Sequence, residues 1–116
     1  MEDSILKSIK KLLGLSDSDE SFDVDLVMHI NSALMTLMQV GVGPKSGFSI
    51  TGEDEKWSDL LPTDKNLNAV KTLVYYIVRL GFDPPQNSSQ LELMKQERDE
   101  LEWRVNVEVE TEWLEE

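Results

Sequence analysis

Cysteine is absent from this 116-residue sequence and histidine occurs once. The first absence excludes disulfide frameworks, thiolate metal sites and Cys nucleophiles, and nothing remains that requires an oxidising compartment. Cations are scarce as well. The 11 Lys and Arg stand against 23 Asp and Glu, a formal net charge of −12, and such a balance cannot grip phosphates by releasing counterions. Binding to DNA or anionic lipid by attraction is therefore not expected. Long apolar runs are missing too. Near the N-terminus Lys7, Lys10 and Lys11 interrupt the apolar residues, which breaks the continuous segment a signal peptide needs. The uncharged run 27–44 contains His29, Asn31, Ser32, Thr36 and Gln39, too polar for a bilayer span of about 20 apolar residues. These absences lead us to expect a cytoplasmic protein with no membrane span.

Apolar residues make up 40% of the chain, too many for a disordered acidic polypeptide, and the length fits one domain over 1–116 with a modest core. Apolar spacings of three and four predict a helix over 4–13, with Asp3 or Ser4 as cap and Gly14 in the left-handed closing position. The acidic stretch 16–21 reads as a solvated loop. A second helix is expected over 23–40, capped by Asp23, with Phe22 and Val27 forming a hydrophobic staple.

Gly41, Gly43, Pro44 and Gly47 then stop helicity and open an irregular arm over 41–65. In it Phe48 and Ile50 form an extended piece reaching outward, and Trp57, Leu60 and Leu61 share one side of a helical turn or two that Pro62 ends. An excursion of this length is functional or mobile in most compact domains. A third long helix is expected over 67–80, with Asn66 or Asp64 as cap and Gly81 closing it. It is apolar nearly all round and so either buried or facing another chain. Ser88 or Ser89 caps a fourth over 88–104, whose Leu91, Met94, Arg98, Leu101 and Val105 form a narrow seam. From Val105 the period becomes two, with Val107, Val109, Thr111 and Trp113 alternating with polar residues, which predicts a C-terminal strand. The expected fold is thus mainly α: a bundle of about four helices, a long arm and a short strand over 105–116.

No catalytic constellation emerges. Asp25 lies one turn before His29, but there is no second His or HExxH spacing, so a local helix pair is the expected reading. Residues 17–20 lack the glycine and terminal Glu of a calcium loop, and the glycines match no phosphate-binding loop. We expect no enzyme, metal or cofactor. Three features instead favour assembly: surplus apolar surface on 67–80, the narrow seam, and a strand with no strong partner. They nominate Tyr75, Tyr76, Leu91, Met94, Leu101, Trp103, Val105, Val107 and Val109 as a subunit or partner interface, and Phe48, Ile50 and Trp57 as arm contacts. An alternative is a monomeric acidic regulator that binds a basic protein through residues 17–25 and the Glu-rich tail.

The order of segments resembles the small head–tail connector proteins of tailed bacteriophages and prophages. The resemblance rests on Ser4-Ile5-Leu6-Lys7-Ser8-Ile9-Lys10-Lys11-Leu12-Leu13-Gly14, on Phe22-Asp23 with Met28-His29-Ile30-Asn31-Ser32, and on Gly41-Val42-Gly43-Pro44 with Gly47-Phe48. It continues through Trp57, Leu67-Asn68, Val70-Lys71-Thr72-Leu73-Val74-Tyr75, Arg79-Leu80-Gly81-Phe82-Asp83-Pro84-Pro85, and Leu101-Glu102-Trp103-Arg104-Val105-Asn106-Val107. It implies a non-enzymatic, mainly helical virion protein, assembled in the host cytoplasm, that joins a ring of about a dozen copies beneath the portal. Such a ring extends the DNA channel and docks the next connector or tail protein. An acidic lumen would repel phosphates and let DNA slide, and Glu53, Asp54 and Glu55 are the candidate groups facing it.

Overall fold

The computed structural model describes residues 4–44, 46–61 and 67–115, with side chains through residue 108. Five helices follow one another: α1 (Ile5–Leu12), α2 (Asp23–Gln39), the single turn α3 (Trp57–Leu60), α4 (Leu67–Phe82) and α5 (Ser88–Glu115). The expected caps Asp3, Asp64 and Asn66, and Pro62, lie outside the described residues. Helix α1 starts where expected: the Ser4 hydroxyl accepts the Lys7 amide at 3.3 Å, and Gly14 follows the helix with φ +80°.

Helix α4 lies between α2 and α5, packing on both. Its Val70, Leu73, Val74 and Val78 meet Leu26, Ile30, Ala33, Leu34 and Leu37 of α2, with Ile5, Leu6 and Ile9 of α1 completing one contiguous core. The apolar excess on 67–80 is thus largely consumed by neighbours in the same chain. Lys10, one of the three lysines that interrupt the apolar residues near the N-terminus, is only 2% exposed. Its ammonium pairs with Asp23 at 2.9 Å and donates to the Asp17 carbonyl at 3.2 Å, tying the end of α1 to the start of α2. Both partners are needed, because a buried ammonium must be paired and hydrogen-bonded.

Several boundaries differ from expectation, each for a physical reason. Asp23 is the first residue of α2 rather than its cap, and the ring of Phe22 stacks edge-on against Phe82, centroids 5.5 Å apart. Gly81 does not close α4, which continues to Phe82. That glycine is required for space, since a Cβ there would stand 2.9 Å from His29 Nδ1. The start of α5 is capped by Asn87, whose side-chain oxygen accepts the amides of Ser89 and Gln90 at 2.9 and 3.2 Å, instead of by a serine.

The largest correction concerns the C-terminus. No strand is present among the described residues, and α5 runs unbroken through the segment expected to be one. Extending a helix that already exists adds one hydrogen bond per residue at a small propensity cost for valine. A lone strand would leave its amides and carbonyls unpaired. The extended piece around Ile50 offers no ladder either, because Asn31 already brackets Ile50: its amide donates to the Ile50 carbonyl at 3.0 Å and its oxygen accepts the Ile50 N–H at 2.7 Å.

Candidate interaction surfaces

The arm is where the structure departs most from an outward-reaching loop. Ile50 is 2% exposed and Trp57 fully buried, so these two expected arm contacts lie inside the monomer; Phe48 packs half-buried against the same core. The Trp57 indole N–H donates to Ser8 Oγ at 3.1 Å, and the Lys71 ammonium stands over its ring at 5.6 Å. An antiparallel bridge between Ser4 and Lys56, with the Ile5 amide bonded to the Glu55 carbonyl at 3.1 Å, fixes the far end of the arm to α1. At Gly43, with φ +91°, a Cβ would meet Leu60 at 2.9 Å, so glycine is needed to fold the arm back.

The three arm carboxylates differ. Glu53 and Asp54 are exposed; Glu53 makes a long, solvent-screened pair with Lys7 at 3.9 Å. Glu55 is committed to the turn itself, accepting the Thr51 amide at 3.0 Å, the Thr51 hydroxyl at 2.8 Å and the Gly52 amide at 3.4 Å. Desolvation pushes its carboxyl up, but those hydrogen bonds outweigh it and hold the group below the ordinary glutamate value. On the 16–21 loop, Asp19 is likewise held low by the Ser21 hydroxyl and amide.

The residues nominated on α4 and α5 divide into two faces. Leu91, Met94, Arg98 and Leu101 of the seam are half-buried, and Val105 is 4% exposed within the core. The seam therefore packs on α4 of its own chain. Tyr75 and Tyr76 sit beside it: the Tyr75 hydroxyl accepts from Arg79 at 3.0 Å, and the Tyr76 hydroxyl donates to Glu97 at 2.9 Å. That bond to Glu97, helped by desolvation, raises the Tyr76 phenol above its usual value. Opposite the seam, Trp103 is 65% exposed and Val107 lies one turn on, at 36%. The Val109 side chain lies outside the described residues, although its backbone is helical.

Sequence reasoning missed one surface altogether. Val24, Met28, Met35 and Met38 project from α2 at spacings of four, seven and three, with exposures from 77% to 37%, and no Asp, Glu, Lys or Arg occurs in 26–44. The uncharged run is the available signal in the sequence. His29, in contrast, is engaged by Gly81 and by the edge of Phe82, 6.1 Å between centroids. Among the described residues no cluster of His, Asp and Glu could hold a metal ion, and no helix is long and apolar enough to cross a membrane.

No curated protein and no solved structure matches the chain. A family model does: that of the phage connector protein matches residues 5–112, from the first residue of α1 nearly to the end of α5. The chain thus belongs to the phage connector protein family and has the structural, connecting role of that family among other phage proteins.

Proposed function

We propose that the protein is a head–tail connector that assembles as a ring beneath the portal, extends the DNA channel and docks the next connector or tail component. The observation that carries this reading is the match of the phage connector family over all five helices, and the exposed apolar residues Trp103 and Val107 are consistent with it. These two, outside the intramolecular seam, are the nominated residues best placed for contacts between proteins. Exposed Glu53 and Asp54 are the arm groups available to face passing DNA, where like charge repels phosphate. Partners on this reading are further copies of the chain, the portal and a downstream component, at the head–tail junction of a virion assembled in the host cytoplasm.

Negative-stain images of the purified chain, alone and with portal-bearing heads, test it. Rings, or added density below the portal, are expected. A chain that is monomeric at high concentration and absent from pulled-down heads would remove the reading. Closure of Leu101 and Val105 within the monomer favours the alternative of a monomeric acidic regulator; a salt-labile one-to-one complex with a basic protein, without rings, is its signature.

A further inference from the structure

We infer that the cleft where the first half of α2 meets the end of α4 docks an arginine side chain carried on a basic segment of another protein. The cleft has a volume of about 500 Å³, and Phe22, His29 and Phe82 line it together with Asp25 and Asp83. Its rings fix one another: Phe22 and Phe82 meet edge-on with centroids 5.5 Å apart, and His29 meets the edge of Phe82 at 6.1 Å. Phe22 is still 40% exposed, so apolar ring surface is open to an incoming group. Asp25 and Asp83 are exposed, and among the described residues neither carboxylate makes a hydrogen bond or an ion pair; nor does the His29 imidazole.

The surrounding charge sets the sign of the occupant. The two segments that build the cleft contain no Lys or Arg over 12–44 and 80–94, while Asp17, Asp19, Glu20, Asp23 and Asp25 crowd the approach. Of these, Asp23 is answered by Lys10 and Asp19 is tied to Ser21. Arg79, the cation just before the cleft, is committed elsewhere. Its guanidinium donates to the Tyr75 hydroxyl at 3.0 Å and to the Asp83 carbonyl at 3.4 Å, which leaves the Asp83 carboxylate unanswered. The cleft therefore lacks a cation, and its aromatic lining selects which one. A planar guanidinium stacks on rings and meets carboxylates with a fork of N–H groups, whereas an ammonium is a strongly hydrated point charge. A neutral imidazole adds one acceptor nitrogen for the same fork. Copies of this chain are a poor source of that group. At −12 each they repel one another, and Arg79, Arg98 and Arg104 are already engaged with Tyr75, Asp99 and Glu100. A different protein with a basic segment fits the site, and this conclusion goes beyond the connector reading without depending on ring assembly.

The experiment is titration of the full chain with a short amidated peptide of alternating glycine and arginine, followed by NMR of the His29, Phe22 and Phe82 rings. Saturable shifts of all three are expected, with a dissociation constant of about 1 mM or tighter. Asp25→Asn combined with Asp83→Asn should weaken binding about tenfold or more. Glu102→Gln combined with Glu108→Gln removes the same charge from α5 and should change it by less than about twofold. The matching lysine peptide should bind at least about threefold more weakly. Phe22→Leu should narrow that gap, because it keeps apolar bulk and removes a stacking ring. Circular dichroism confirms that each variant is folded. Equal losses in the two double variants indicate diffuse attraction to an acidic chain and overturn the inference, as do unmoved His29 and Phe82 rings or equal binding of the two peptides. The same shifts produced by the chain alone, as its concentration rises to about 1 mM, make a second copy the occupant and also overturn it. None of these outcomes bears on rings or portal-bearing heads, so the connector reading stands or falls separately.

Discussion

Among the described residues between Val42 and Leu61 only one helical turn is present, yet this stretch sends Val42, Ile50, Trp57 and Leu60 into the core. Helix α5 is 28 residues long, and among its described side chains only Val105 is buried. Regular structure and contribution to the core are therefore inverted between the two regions. The cause lies in how each satisfies its backbone. The arm borrows hydrogen-bond partners from Asn31 and α1 and closes its own turn on Glu55, which frees its apolar side chains to turn inward. The long helix satisfies its own backbone and needs only the seam to stay docked, leaving its outer side exposed.

Replacing Trp57 by Ala should break this comparison most severely, costing about 3–5 kcal/mol from lost burial and the cavity left behind, as read by denaturant unfolding. The same change at Trp103 should stay within about 0.5 kcal/mol, because a surface ring has little to lose in the monomer. Next comes Asn31→Ala. It leaves both the Ile50 N–H and C=O without their partner, at a cost of about 1–3 kcal/mol, and hydrogen exchange at the Ile50 amide should accelerate well beyond that of amides in α4. Val105→Ala should follow at about 1–2 kcal/mol for the apolar groups removed, measured by thermal unfolding; equal costs at Val105 and Val107 would erase the distinction between the two sides of α5.

The same contrast explains what could be read from the sequence. Where the apolar period extended over several turns, as in α1, α2 and α4, the helices and their core faces were legible, because burial and local geometry agree there. The arm's burial was not: nothing local to Ile50 says that an asparagine 19 positions earlier will supply both its hydrogen bonds. The period of two after Val105 was a true pattern with the wrong consequence, since alternation favours a strand only where a second strand exists to complete the ladder. Among the residues proposed for contacts between proteins, Trp103 is visible in sequence, but the side of α5 it occupies is not, because the sequence does not show that the seam closes on α4.

The effect that probes the arm most selectively is a small one. Glu55 titrates below the ordinary glutamate value because Thr51 and Gly52 hydrogen-bond its charged form against an opposing desolvation. A carboxyl depressed in the folded state contributes stability that is complete above its unfolded value of about 4.3 and is lost as pH falls through the lower, folded value. The group is close to solvent, so screening keeps the contribution small, under about 1 kcal/mol. Acidification below about pH 4 should thus loosen the 51–55 turn before it disturbs α4 or α5. Limited proteolysis should detect it as new cleavage in the arm while helical circular dichroism is retained. Glu55→Gln should carry the loosened turn at neutral pH and make arm cleavage nearly independent of pH. If arm and α5 instead become susceptible together on acidification, the arm is held by the core alone, and its borrowed hydrogen bonds are secondary to Ile50 and Trp57.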